Sequence, residues 1–234
     1  MLPPKALLTL TGGMTPAYDT AMSRFAHAPG SMMIHSALSD LPEWTAKPLK
    51  SFAYAPITPG LDQMARTYQQ VKAGRLPDEP IVVVGQPTVV DPSRAPAGQH
   101  TLWPQGRLSP GIIRGDAKGT IMATDWPDAA QLFAERALNI LEAHAPSTRG
   151  KILVQRIVTP AELELDNPDL VGGDQVCGSH HLSQKFLLRP VRGHADGSTP
   201  IKNLHLTGAA IWPSAGTGAG SGYLLARQFT GNSQ

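Results

Sequence analysis

The pattern of apolar and polar residues changes period along the chain, and each change marks an element. SMMIHSAL (Ser31–Leu38) mixes the two kinds as a half-buried strand does. The β-branched run IVVVG (Ile81–Gly85), ended by QPT, has the composition of a buried strand. KILVQRIV (Lys151–Val158) predicts a further strand, and HTLWPQGRL (His100–Leu108) another with a break at Pro104, because proline has no N–H to give to a ladder. Elsewhere the period lengthens to that of a helix. Leu61, Ala65, Tyr68 and Val71 share one side of LDQMARTYQQVKAG, which stops at Gly74, a residue suited to a helix C-terminus. A second helix starts after Asp125, a capping residue, with Pro127 in its first turn and Phe133, Ala137, Ile140, Leu141 and His144 on one side. A helical signal also covers Tyr18–Phe25, and TPAE (Thr159–Glu162) reads as a capping box that opens a short helix.

Near the C-terminus the apolar run Asn203–Leu206 predicts an interior strand. A glycine-rich stretch follows, and then a helix that includes Tyr223, Leu224, Ala226 and Arg227. Strand, glycine-rich turn and helix is the layout of a phosphate-cradling loop. Gly208 would let a ligand approach the backbone, and Gly216, Gly218, Gly220 and Gly222 would permit tight turning. Amides at the helix start could then face a phosphate or a polar ring edge. The same pattern also serves as a ligand-free junction. The chain has no G-x-x-x-x-G-K-[ST], and no G-x-G-x-x-G after an early strand with an acidic residue about twenty positions on. It is therefore not expected to hold a whole dinucleotide by itself in the usual way.

Strands and helices alternate without a regular βαβ rhythm, which predicts an α+β fold with a mixed or antiparallel sheet, followed by one βα unit. A length of 234 residues suits one large domain or two small ones, and 23 glycines with 22 prolines imply many turns. Only 16% of residues are charged, so much of the surface is expected to be covered by a partner subunit or a further domain. A net charge of +2 argues against nucleic acid as a partner, since phosphate binding needs clustered Lys and Arg. The single cysteine, Cys177, excludes an intrachain disulfide and fits a reducing compartment. The N-terminal stretch is a poor secretory signal, and no apolar run reaches the roughly 20 residues of a membrane span. The expectation is a cytoplasmic protein, or one peripheral at a membrane surface.

Four segments carry a family resemblance: DPSRAPAGQHTLW, FAERALNILEAHAPSTRGKILVQRIVTPAELE, LVGGD and PIKNLHLTGAAIWPSAGTGAGSG. Their order resembles that in phytoene-desaturase-like FAD-dependent oxidoreductases, more narrowly their pyridine nucleotide-disulfide oxidoreductase domain-containing branch. The resemblance covers nearly the whole chain from PPKALLTL onward. Members of the family are longer. They carry an N-terminal dinucleotide-binding unit, an inserted substrate-binding domain, and a final strand–loop–helix that returns to the flavin.

The resemblance implies that this chain is the C-terminal half of such an enzyme. Residues 1–199 would be the substrate-binding domain, and residues 200–234 the returning segment of a Rossmann-like FAD domain. Gly208 and Ala209 would lie against the ribityl–pyrophosphate region, and Pro213 would turn the chain under the isoalloxazine ring. Gly216, Thr217 and Gly218 would offer amides to the pyrimidine edge. FAD would be held only together with the N-terminal half, which would come from a second polypeptide or be missing through truncation, and the chain alone would be inactive. The implied reaction is a two-electron dehydrogenation or desaturation of a small or apolar organic substrate. The family's P-G-G-G-V is replaced here by Pro213-Ser214-Ala215-Gly216-Thr217, and Ala219 replaces a later glycine. Ser214 and Ala215 are expected to resist backbone conformations that glycine tolerates. These departures leave a rival reading, a ligand-binding or interaction module that kept the fold and lost the cofactor.

The remaining candidates are less directed. Cys177, His180 and His181 form C-x-x-H-H, but a structural zinc site needs four ligands and no second pair matches, so no metal is expected. His100 could line a substrate cavity or serve as a structural hydrogen-bonding residue. Arg189 and Arg192 flank Pro190 and are expected to be solvated. His35, Ser36 and Asp40 lie close in sequence, yet no G-x-S-x-G supports hydrolase chemistry.

Overall fold

A computed structural model describes residues 3–216 and 219–231. The elements in chain order begin with α1 (Pro4–Thr11), α2 (Pro16–Ser23), β1 (Gly30–Leu38), β2 (Tyr54–Ile57), α3 (Leu61–Lys72), β3 (Arg75–Leu76) and β4 (Ile81–Gly85). They continue with β5 (His100–Ser109), β6 (Gly115–Asp116), α4 (Trp126–His144), β7 (Ile152–Val158), α5 (Pro160–Asp166) and α6 (Gly220–Thr230). The chain divides into two units, one of residues 29–165 and one formed by the stretches up to Ala28 and from Asp166. This division follows contacts inside the chain and does not fall at residue 199. The boundary expected there concerned membership of a larger fold, and it stays a proposal.

In the central unit, five strands form an antiparallel sheet in the order β2-β4-β5-β1-β7. A short parallel pair, β3 with β6, stands apart. Helix α4 covers one face of the sheet. Asp125 caps it by accepting from the Asp128 amide at 3.1 Å. Its buried stripe of Ala129, Phe133, Ala137 and Leu141 meets Met32, Ile34, Leu38, Val82, Val84 and Leu102. Each large apolar side chain so buried contributes about 1.5–3 kcal/mol.

A buried ion pair fixes α4 against β6. Arg136 donates to both Asp116 oxygens, at 2.7 and 2.8 Å, and to the Pro77 carbonyl at 2.6 Å. Asp116 also accepts from the Thr120 and Ile121 amides at 2.8 and 3.0 Å. Burial opposes the charge on Asp116, but the guanidinium and these amides outweigh it and hold the carboxyl well below the usual carboxylate range.

Two elements depart from the sequence pattern. β5 runs unbroken through Pro104: the ladder to β1 skips Ile34 and His35, while Val84 of β4 still faces the proline. The missing N–H is thus absorbed on one side only. Helix α3 buries Gln63, Thr67 and Val71, and leaves Leu61, Met64 and Tyr68 exposed. The reason is a backbone acceptor. Gln63 and Thr67 both donate to the Glu79 carbonyl, at 2.8 and 3.2 Å, so the polar side of the helix turns inward.

The unit made from the two ends has less regular structure. Leu7, Tyr18 and Met22 from α1 and α2 pack with Val191, Leu206 and Ile211. The expected strand at Asn203–Leu206 does not form. Asn203 takes a left-handed φ of 63°, and the Leu204 carbonyl is used locally by Thr199. One antiparallel bridge, Ser198 with His205, is all that remains of the strand among the described residues. Helix α6 therefore stands without the strand of the expected βα unit.

Side chains take the place of ladders in this unit. Arg189, expected in solvent, is wholly buried. Its guanidinium donates to the carbonyls of Cys177 (2.7 Å), Ser179 (3.0 Å) and Ala209 (2.7 Å) and lies 5.5 Å from the centre of the Phe25 ring. The Gln184 amide pairs with both backbone groups of Ala26 at 2.8 Å, as a neighbouring strand would. Asp174 of LVGGD accepts from the amides of Ala28, Val176 and Gly178 and faces His27 Nδ1 at 3.3 Å. Burial opposes its ionisation, but these hydrogen bonds win and hold the carboxyl below its ordinary value. Among the described residues, no helix is long and apolar enough to cross a membrane.

Arg136→Met should lower stability by roughly 3–5 kcal/mol, read as a shift in the urea midpoint, because it strands a buried carboxylate. Asp116 has a depressed pKa in the folded state. Its contribution is therefore complete above the ordinary carboxylate value of about 3.9 and disappears as pH falls through the lower folded value. Asp116→Asn should remove that part of the acid sensitivity. Cys177 is pushed up to about 11 by burial and then by Asp174. Iodoacetamide at neutral pH should alkylate it only after unfolding, and fast labelling of the folded chain would contradict this.

Candidate functional site

The residues predicted to face a cofactor lie on one connected stretch, of which Gly208, Ala209, Pro213 and Gly216 are described. Gly208 has a φ of 103°, and nothing stands within 4 Å of the place where a Cβ would project. Its amide donates to Ser221 Oγ at 2.8 Å, which ties it to the first turn of α6. Ala209 is held through its carbonyl by Arg189. Pro213 follows a cis peptide bond, and Gly216 is exposed with a φ of 87°. Thr217 and Gly218 lie outside the described residues. A cleft of about 610 Å3 is bordered by Leu187, Asp196, Trp212, Ser221 and Leu224, but by none of Gly208, Ala209, Pro213 or Gly216.

Ser214 overturns one expectation. It takes a φ of 81°, in the region that favours glycine, although it carries a side chain. Its amide donates to the Ile211 carbonyl at 2.7 Å, and its hydroxyl accepts from Lys185 Nζ at 2.9 Å. Local hydrogen bonds thus hold the turn without a glycine at this position.

The other candidates scatter. Cys177 is buried, while Lys185 donates to His180 at 3.2 Å and His181 receives the Ser183 amide at 3.3 Å. Burial, then Lys185 and Arg189, hold His180 below the ordinary histidine value. Among the described residues, no group of three or more His, Cys, Asp or Glu is placed to hold a metal ion. His100 Nδ1 bonds Thr88 Oγ1 at 3.2 Å, Arg192 is exposed, and Asp40 pairs with Lys151 at 3.2 Å. Ser36 and His35 are consecutive on β1 and so point to opposite faces of the sheet.

The sheet face away from α4 carries a constellation that the sequence reading missed. The register sets Tyr54 opposite Gly85, Gly85 opposite Trp103 and His35 opposite Arg156, and the ring contact of His35 with Trp103 joins them into one row across the five strands. His35 and Trp103 stack, with ring centres 5.8 Å apart and planes 14° from parallel. Tyr54 meets Trp103 edge-on at 6.4 Å. Gly85 lets these two rings approach, since a Cβ there would lie 3.0 Å from the Tyr54 ring.

A cavity of about 620 Å3 lies over part of this row, bordered also by Ala37, Pro87, Arg94, Thr101 and Val154. None of the five strands contains Asp or Glu. Arg94 is engaged by Asp91 at 3.2 Å, whereas Arg156 has no carboxylate partner among the described residues. Burial, then the neighbouring Arg156, hold His35 below the ordinary histidine value, so its ring is neutral at pH 7. The row takes a single residue from each of five strands, so no one strand reveals it in sequence.

No family model matches the chain. It is 27% identical over 158 residues to pyridine nucleotide-disulfide oxidoreductase domain-containing protein 2 of Mus musculus, covering 67% of this chain and 26% of the relative. It is 31% identical over 142 residues to phytoene desaturase (lycopene-forming) of Pseudescherichia vulneris, covering 60% and 26%. With phytoene dehydrogenase of Streptomyces griseus it shares 24% over 213 residues, covering 88% and 37%. The chain thus matches about a quarter of the length of the first two relatives. Over most of its own length, the chain is similar to proteins named as phytoene desaturase, phytoene dehydrogenase and pyridine nucleotide-disulfide oxidoreductase domain-containing protein 2.

Proposed function

We propose that this chain supplies the substrate-facing sheet and the flavin-side C-terminal segment of an FAD-dependent oxidoreductase. The reaction is a two-electron dehydrogenation or desaturation of an organic substrate. The observation that carries this reading is the similarity, over 60–88% of the chain, to proteins named as phytoene desaturase and phytoene dehydrogenase. The dinucleotide-binding part that completes the FAD site lies outside these residues. On this reading residues 1–199 serve the substrate and residues 200–234 the flavin.

The C-terminal stretch fits such a role as one wall. At Gly208 and Gly216 the backbone has a positive φ and open space in front of it, so a flat or phosphorylated group can lie against it. Ala209, Pro213, Thr217 and Gly218 complete the proposed contact, and the N-terminus of α6 favours negative charge nearby. Bound FAD supplies the electron acceptor. The chain's own residues orient the substrate: Trp103 and His35 offer a flat surface, and the neutral His35 ring can take up a proton released during oxidation. The rival reading, a binding module without flavin, drew on Ser214, Ala215 and Ala219; of these, Ser214 takes a glycine-like backbone all the same.

Co-expression with a polypeptide carrying a G-x-G-x-x-G dinucleotide-binding unit should give a complex with flavin absorbance. A colourless pair that does not associate would overturn the proposal. In an active complex, His35→Gln should lower kcat on the order of 100-fold with flavin absorbance unchanged. Because the His35 pKa is lowered, the neutral ring persists as pH falls. The acid limb of the rate profile should then lie below the ordinary histidine value of about 6.5.

A further inference from the structure

We propose that the uncovered sheet face binds an organic oxyanion, its flat apolar body on the Trp103–His35 stack and its carboxylate or phosphate at Arg156. The inference rests on the reading of this face as the substrate surface, and names the class of substrate it takes.

Three observations converge on it. The first is charge. Arg156 stands in the row beside His35, no carboxylate faces it among the described residues, and the five strands contain no acid at all. A guanidinium without a carboxylate beside it favours an anion, and it matches the planar fork of a carboxylate or the oxygens of a phosphate. The second is shape. The stacked rings make a flat floor, and the cavity of about 620 Å3 above it is bordered by Ala37, Pro87 and Val154, which suit an apolar body. The third is the set of polar groups left over. Thr101 Oγ1 and Trp103 Nε1 have no hydrogen-bond partner among the described residues, and both can donate. An uncharged hydrocarbon would meet the floor and leave the arginine and these donors unmatched.

Titration calorimetry of the full chain with naphthoate, naphthyl phosphate, the neutral analogue naphthylmethanol and inorganic phosphate tests this. At least one naphthyl anion should bind about tenfold or more tightly than naphthylmethanol. The tighter of the two anions identifies the oxyanion that the site prefers. Arg156→Gln should abolish the preference, Arg156→Lys should keep most of it, and Trp103→Leu should weaken all three naphthyl compounds. Arg156 is exposed, so its variants should fold, and circular dichroism checks this.

Equal binding of naphthylmethanol, an unchanged preference in Arg156→Gln, or no saturable binding of either naphthyl anion at millimolar concentration would overturn the proposal. Inorganic phosphate binding as tightly as the naphthyl anions would overturn the apolar body. None of these measurements needs flavin. A colourless co-expressed pair beside an intact anion preference would therefore sink the oxidoreductase reading alone, and a flavin complex without that preference would sink this one alone.

Discussion

Helix α4 covers one face of the five-stranded sheet, and the character of the other face follows from that contact. Side chains alternate along each strand, so burying Met32, Ile34, Leu38 and Leu102 beneath Phe133 and Leu141 turns His35, Ala37, Thr101 and Trp103 outward. The buried pair of Arg136 and Asp116 helps to fix where the helix lies. Both oxygens of Asp116 and both terminal nitrogens of Arg136 are hydrogen-bonded, which fixes the geometry, and an apolar substitute of similar shape need not be less stable. A one-residue slip of β1 would carry His35 into the core and expose Ile34. The site on the open face thus depends on the packing of the closed one.

The unit built from the two ends is organised differently. Among its described residues there is no extended ladder, and three buried polar side chains satisfy backbone groups that strands would otherwise pair. Arg189 gathers the carbonyls of Cys177, Ser179 and Ala209, Asp174 gathers three amides, and Gln184 pairs with Ala26. The link from Arg189 to Ala209 matters for function, because Ala209 belongs to the stretch proposed to face the flavin. A buried cation that donates to backbone carbonyls thus anchors that stretch. The same economy of regular structure explains Ser214, whose strained turn is held by Lys185 and by the Ile211 carbonyl.

Local signals were read well where they are complete within a few residues. The capping box at Thr159 forms as written, with reciprocal bonds of 2.8 and 3.2 Å between Thr159 and Glu162. Asp125 caps α4, and the strands at Ser31–Leu38, Ile81–Gly85 and Lys151–Val158 lie within a residue of their expected ends. Expectations failed where a distant partner decides. Pro104 was tolerated because the ladder to β4 continues beside it. The inward side of α3 was chosen by the Glu79 carbonyl, and the strand at Asn203 was lost to a local turn with only Ser198 as neighbour.

The amino-acid sequence by itself determined the class of fold, most of its elements and its similarity to oxidoreductases, because period, capping residues and motif order are properties of short stretches of chain. It also placed glycines at positions 208 and 216, where the backbone takes a positive φ. Tertiary structure alone decided the burial of Arg189 and the row of Tyr54, Gly85, Trp103, His35 and Arg156. That row needs residues from five strands in one register, spread over about a hundred positions of chain. Register is set by which face meets α4, and no stretch of sequence contains both partners of that contact.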